Sequence, residues 1–196
     1  MAIRFSEADA RPMGRNTSGV KGISLVGDSE VVGMVVADPT ATLLSVCEKG
    51  YGKRTNFGPN AEMIEGPPPA DEEGGEEPPP PAAETSGDAG ADTEADEGSD
   101  EGPSGQRYRT QRRGGKGLRD IKTTERNGRV IGIVRVDDRD EVLMMTARGK
   151  LQRIAAADIS VIGRNTQGVR IMSLDEGDTL VAVVRVPPEE AGESPA

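Results

Sequence analysis

Histidine and tryptophan are absent from this chain, cysteine occurs once, and only two Phe and two Tyr stand among its 196 residues. Each scarcity removes a class of protein. Without His there is no base to activate a thiol, and without a second Cys there is neither a disulfide nor a zinc site, so Cys47 in "TLLSVCEKG" reads as a packed thiol. With aromatics at 2% and hydrophobic residues at 34%, any core must be built from Val, Ile, Leu and Met. No apolar run approaches the roughly 20 residues of a membrane span, and "AIRFSEADARP" after Met1 has no apolar leader, so the expected location is the cytoplasm. A catalytic reading is weak for the same reasons: no clustered nucleophile and base and no phosphate-binding P-loop pattern are present.

What is present is unevenly distributed charge. The chain carries a formal net charge of -10, but residues 59–105, "PNAEMIEG…DEGPSG", hold 15 Asp or Glu and no Lys or Arg. That Pro- and Gly-rich stretch has too little apolar surface to bury and is expected to be disordered. Its carboxylates lack the spacing of a Ca²⁺ loop, so no metal is expected there. The tail, 187–196, adds Glu189, Glu190 and Glu193, leaving a body with 24 basic and 16 acidic residues, a net of +8.

The body repeats. "GMVVADPTATLLSVCEKGYGKRT" from Gly33 aligns without a gap on "GIVRVDDRDEVLMMTARGKLQRI" from Gly132, and "GRNTSGV" at Gly14 matches "GRNTQGV" at Gly163. Three units of roughly 50 residues follow, a period typical of blades or solenoid turns. The acidic stretch interrupts the middle unit, dividing the chain into 1–58 (first repeat and start of the second), the insert 59–105, 106–186 (rest of the second repeat and the third), and the tail. Within a unit, "VIGIVRV" (130–136), "EVLMMT" (141–146) and "LQRI" (151–154) are short apolar or β-branched runs broken by "DDRD" and "ARGK", which predicts hairpins packed as blades and an all-β fold.

One loop stands out chemically. "QRRGGKG", Gln111 to Gly117, places Arg112, Arg113 and Lys116 beside Gly114, Gly115 and Gly117. Glycines admit backbone conformations closed to other residues and let the chain approach a phosphate, while the cations supply charge and forked donors. Alone, such a loop reads as a solvated basic turn. Within a basic repeat body, with further cations at Lys21, Lys53, Arg54, Arg148, Lys150, Arg164 and Arg170, it points to nucleic-acid backbone binding without base readout. The other repeat glycines read as turn residues, and Tyr51 and Tyr108 as packing or rim residues.

The "GRNT.GV" turns, "GYGKRT" at Gly50, "TTERNG" at Thr123 and above all "QRRGGKG" closely resemble the C-terminal DNA-wrapping domain of the bacterial DNA gyrase A subunit, of which the heptad looks like the signature box. The resemblance implies a β-pinwheel, a propeller-like disc whose blades exchange strands, here about three blades of a normally six-bladed disc. It implies sequence-independent binding and handed wrapping of double-stranded DNA in support of negative supercoiling, chromosome association, and partnership with the B subunit of gyrase and the N-terminal part of the A subunit. ATP and Mg would be used by those other regions, and this chain would bind no cofactor. A topoisomerase IV C-terminal domain, which binds DNA but wraps it poorly, and a blade-type protein-interaction module are the alternatives. Two expectations concern parts outside the family pattern. Met1 aligns with Lys150 and Val186 with Val136, so blade edges are expected to be unclosed and prone to self-association. The tethered insert is expected to compete with phosphates for the box.

Overall fold

The computed structural model describes residues 1–60 and 106–188; residues 61–105 of the insert, for which disorder is expected, and residues 189–196 of the tail lie outside the described residues. The fold is all-β, with seven strands and two three-residue 3₁₀ turns, Glu7–Asp9 and Ala156–Asp158, lying wholly within the described residues. Strands β1 (Thr42–Cys47) and β2 (Tyr51–Asn56) form one hairpin, β4 (Glu141–Thr146) and β5 (Leu151–Ala155) another. The remaining strands are β3 (Val130–Val136), β6 (Val169–Arg170) and β7 (Leu180–Val186).

Each sheet is assembled from different repeats. The four-stranded blade has the order β3-β1-β2-β6 and the three-stranded one β5-β4-β7, all pairs antiparallel. Each hairpin thus receives a later strand of the chain on its first strand, β3 on β1 and β7 on β4, which is the strand exchange expected of a pinwheel. Because a blade is covered on both faces, its central strand need not alternate polar and apolar residues. Every residue of β1 is buried, Leu44 and Val46 facing a core shared with Val136, Val142, Met144, Ile159, Met172 and Leu180, and Leu43 facing a second cluster with Ala41, Phe57 and Tyr108.

The repeat at Gly33 behaves differently. Residues 31–36 correspond to β3 and β7, yet they form no strand, and Met34 is 91% exposed. The reason is pairing: β3 and β7 each lie against the first strand of a hairpin, and residues 31–36 have no such strand beside them among the described residues. Apolar, β-branched sequence supplies the side chains of a strand; it does not supply the hydrogen-bonding neighbour.

Turn glycines reveal the full repeat register. Gly19, Gly117 and Gly168 have φ of 76°, 78° and 75°, and the residues after the last two enter equivalent bridges, Leu118 to Ala2 and Val169 to Gly52. A Cβ at Gly117 would lie 2.5 Å from the Ala2 carbonyl oxygen, one at Gly168 2.8 Å from that of Gly52. The loop Gln111–Gly117 is therefore the second unit's counterpart of the two "GRNT" turns, a relation its sequence hides.

Cys47 is buried, as a packed thiol should be. Burial, followed by the neighbouring carboxylates of Asp120 and Glu48, pushes its thiol up to about 12. Relative to an ordinary cysteine, that leaves roughly a thousandfold less thiolate at neutral pH. Iodoacetamide at pH 8 is expected to leave the native protein unmodified by mass and to label it once unfolded in urea; native labelling at the rate of a free thiol would contradict this.

Candidate nucleic-acid interface

The box is pinned before it is charged. Gln111 N–H donates to the Arg4 carbonyl (2.7 Å), Gly114 N–H to Gly22 (2.9 Å) and Leu118 N–H to Ala2 (2.7 Å), while Ser24 donates through its backbone N–H to the Gly115 carbonyl and through its hydroxyl to that of Gly114. Two segments of the first unit, Ala2–Arg4 and Gly22–Ser24, thus fix the loop backbone. On this frame Arg112 and Lys116 are exposed and Gly115 lies between them at the surface, whereas Gln111, Arg113, Gly114 and Gly117 are half-buried. Gly115 ends the turn through Arg113 and Gly114, and the amides of Lys116 and Gly117 donate to no backbone carbonyl among the described residues.

The three glycines serve different ends. Gly114 and Gly117 have φ of 82° and 78° and are required by the fold. Gly115, expected to need the same freedom, does not: its φ lies outside the left-handed region, and a Cβ there would meet its nearest neighbours at 3.6 and 3.7 Å, ordinary contact. What a side chain at Gly115 would obstruct is approach from outside. Gly117→Ala is expected to cost about 1–2 kcal/mol from left-handed backbone alone, seen as a lowered urea midpoint, and more from the clash with Ala2. Gly115→Ala should leave that midpoint unchanged yet weaken duplex DNA binding severalfold; unimpaired binding would make Gly115 an ordinary surface residue.

Several expected rim cations turn out to be internal. Lys53 is fully buried, its ammonium donating to the carbonyls of Asp120 (2.7 Å) and Gly163 (2.8 Å) and lying 3.4 Å from the Asp120 carboxylate. Desolvation lowers its pKa, against the opposing pull of Asp120. Arg54 is buried with Nε on the Ile159 carbonyl (2.8 Å), and its neighbour Thr55 donates to Ile162 (2.8 Å), so consecutive β2 side chains hold the segment 159–163 of the next unit. Arg164 is buried and donates to the Arg107 carbonyl (2.9 Å). None of the three presents its charge to solvent, because the strand and turn that carry them are packed between blades.

The same brace recurs in the first unit. Arg4 donates to the Tyr108 carbonyl (3.1 Å) as Arg54 does to Ile159, and Arg113 donates to the Asp9 carbonyl (2.8 Å) as Arg164 does to Arg107. Arg113, also hydrogen-bonded to the Lys21 carbonyl (2.8 Å), therefore belongs as much to the scaffold as to the surface. Arg4 further binds Asn60 and the Phe57 carbonyl, so the N-terminal root of the acidic insert sits on the residue whose carbonyl receives Gln111.

The remaining candidates are exposed. Lys21 lies beside the box; Arg148 and Lys150 occupy the β4–β5 turn, Arg148 donating to the Glu176 carbonyl (2.9 Å) and Lys150 lying 3.7 Å from Asp175. Arg170 is exposed on β6 against Tyr51. Sequence reasoning missed Asp120, which accepts from Ser45 Oγ and Tyr108 Oη, both at 2.6 Å, and organises a buried polar cluster under the box-bearing blade. Among the described residues, no His, Cys, Asp or Glu cluster could hold a metal, and no helix is long and apolar enough to cross a membrane.

Comparison with known proteins converges on one family. The model described as "DNA gyrase C-terminal domain, beta-propeller" matches residues 1–38, 104–137 and 140–187, passing over the insert. The DNA gyrase A subunit of Salmonella typhimurium is 35% identical over 184 residues, 94% of this chain and 16% of that protein. Its counterpart in Haloquadratum walsbyi is 35% identical over 185 residues, 93% of the chain and 16% of its own length. This chain thus spans about a sixth of the curated relatives it matches. Among solved structures, the DNA gyrase A C-terminal domain superposes with a TM-score of 0.63 at 24% identity, covering 93% of this chain and 46% of the other. The C-terminal domain of DNA topoisomerase IV superposes at 0.62 and 16%, covering 93% and 42%.

Proposed function

Because the chain belongs to the DNA gyrase C-terminal domain family of β-propellers, we propose that it binds duplex DNA without reading sequence and bends it around the blade rim as the wrapping part of a gyrase A protein. The observation that carries this reading is the geometry of the box: a loop fixed by the first unit, with Arg112 and Lys116 exposed, an uncovered glycine between them, and the amides of Lys116 and Gly117 donating to no backbone carbonyl among the described residues. Such a surface suits a phosphate, which offers charge and several acceptors on a backbone that comes close.

Fixed cations on a rim replace condensed counter-ions, and the gain must offset the elastic cost of bending a stiff duplex. A wrap of one hand presents one DNA segment over another with a fixed crossing sign, which the holoenzyme would convert into negative supercoils. Strand cleavage, ATP hydrolysis and Mg binding belong in this reading to the N-terminal part of gyrase A and to gyrase B. The intact box favours gyrase-type wrapping over the weaker wrapping of topoisomerase IV. Titration of duplex DNA into the chain across a salt series tests the reading: affinity should fall steeply with salt and hardly vary with sequence. Affinity indifferent to salt, or failure to be retained on heparin, would favour a protein-interaction module instead.

A further inference from the structure

Outside the box, one exposed cluster combines two cations without a carboxylate. Tyr51, at the start of β2, pairs in register with Arg170 of β6. Its hydroxyl oxygen accepts from Arg170 Nη2 (3.2 Å) and from Arg126 Nε (3.1 Å), and both guanidinium carbons lie over its ring, 5.5 and 5.1 Å from the centroid. Tyr51 itself is buried while both arginines are exposed. Among the described residues, neither guanidinium takes part in an ion pair; the nearby Glu48 lies instead 3.8 Å from Arg129.

Two like charges sharing one neutral acceptor repel each other, and they are kept together by pieces that are themselves fixed. Arg126 sits on the turn Thr124–Gly128, held by Asn127, whose Oδ1 accepts from Thr124 N–H (2.7 Å) and whose Nδ2 donates to the carbonyls of Lys122 (3.0 Å) and Gln167 (3.1 Å). Arg170 follows the Gly168 turn, the third-unit counterpart of the box turn. We propose that Arg126 and Arg170, gathered on Tyr51, form a second phosphodiester-binding site, one blade on from the box along the path of the duplex. The inference rests on the DNA-binding reading above.

The chemistry favours a phosphodiester. The phenol oxygen uses one N–H of each guanidinium, and the remaining donors of two planar forks suit two non-bridging oxygens, the arrangement arginine offers better than lysine. An anion bound there also relieves the mutual repulsion. At the corresponding places in the third unit stand Lys150 for Tyr51 and, in a turn one residue shorter, Glu176 and Gly177 where Arg126 stands, and Lys150 has Asp175 at 3.7 Å. On β5 of the third unit no strand among the described residues pairs as β6 does on β2, so no arginine is brought beside Lys150 as Arg170 is beside Tyr51.

The test uses the full chain and a duplex long enough to bend, titrated across salt. Arg126→Ala with Arg170→Ala should lower the magnitude of the salt slope by about 0.9 if one phosphate is released and about 1.8 if two are. That reduction should add to the one caused by Arg112→Ala with Lys116→Ala, and hydroxyl-radical protection should disappear over one stretch of the duplex. Arg126→Lys with Arg170→Lys keeps both charges and should restore most of the slope, which a merely structural role would not predict. Both side chains are exposed, so melting should be unchanged. If the box variant lowers the slope while the Arg126/Arg170 variant leaves it and the protected stretch at wild-type values, the site is overturned and DNA binding stands. If the wild type itself shows no salt-dependent binding, both fall together.

Discussion

Asp120→Ala is expected to lower the free energy of unfolding by about 3–5 kcal/mol, the usual cost of removing one partner from a buried ionic pair, read as a shift of the urea midpoint at constant slope. Asp120 is the centre of a buried set: its carboxylate accepts from Ser45 and Tyr108, its backbone carbonyl from Lys53, and the Lys53 ammonium lies against it. Removing the carboxylate would strand an ammonium and two hydroxyls in the space between blades. The third unit indicates how to restore stability. There the cross-strand pair equivalent to Ser45 and Lys53 is Met144 and Gln152, and the positions of Tyr108 and Asp120 are taken by Ile159 and Ile171. Ser45→Met, Lys53→Gln, Tyr108→Ile and Asp120→Ile together should recover most of the lost stability, because replacing a buried ionic set with packed uncharged groups, here three apolar side chains and one neutral amide, leaves no unpaired buried charge. An Asp120→Ala midpoint indistinguishable from wild type would show the cluster to be energetically idle.

The comparison of these two units also shows which features were legible in sequence. The runs Val130–Val136 and Glu141–Thr146 became β3 and β4 because apolar pattern, turn residues and tertiary pairing agree there. At residues 31–36 the pattern is the same and the pairing is not, so a reading of side chains alone could not distinguish them. The box was legible as chemistry and hardly as geometry: "QRRGGKG" shares with "GRNTQGV" only an arginine and the glycine four residues on, Arg113 and Gly117 against Arg164 and Gly168, and the left-handed glycine with the bridge after it reveals that they are one turn.

Cations were misassigned where a charge suggested the surface. Lys53 and Arg54 lie in "GYGKRT", which reads as a basic turn, but they belong to a strand covered on both faces, where hydrogen bonds to carbonyls of the next unit and the carboxylates of Asp120 and Asp138 make burial tolerable. The signal available beforehand was positional. Arg4 and Arg54 recur at one place in the repeat, and so do Arg113 and Arg164, a regularity that a brace between units produces and a ligand contact need not. Arg126, by contrast, has no counterpart in the third unit and escaped notice because the cluster it completes is assembled from three separate segments.

That difference between brace and surface decides how the box should be tested. Changing Arg113 together with Arg112 and Lys116 would also release the Asp9 and Lys21 carbonyls it holds, confusing lost charge with a loosened loop. Arg112→Ala with Lys116→Ala removes exposed charge alone, and the magnitude of the salt slope on duplex DNA should fall by up to about 1.8, roughly 0.9 for each phosphate released. Affinity at low salt should fall more than at high salt, since the missing term is counter-ion release, while preference among sequences should not move. Placed in a full-length gyrase A protein and assembled with its partner, the same pair should abolish negative supercoiling while leaving relaxation in place, because the fixed crossing sign depends on anchoring the wrap and strand passage does not. The Gly115→Ala variant should follow it in direction, having lost backbone approach rather than charge, and so should separate the two contributions of the loop. A salt slope and a supercoiling rate both equal to wild type in the Arg112/Lys116 variant would reduce the box to a solvated turn and move the anchoring of DNA to other cations of the rim.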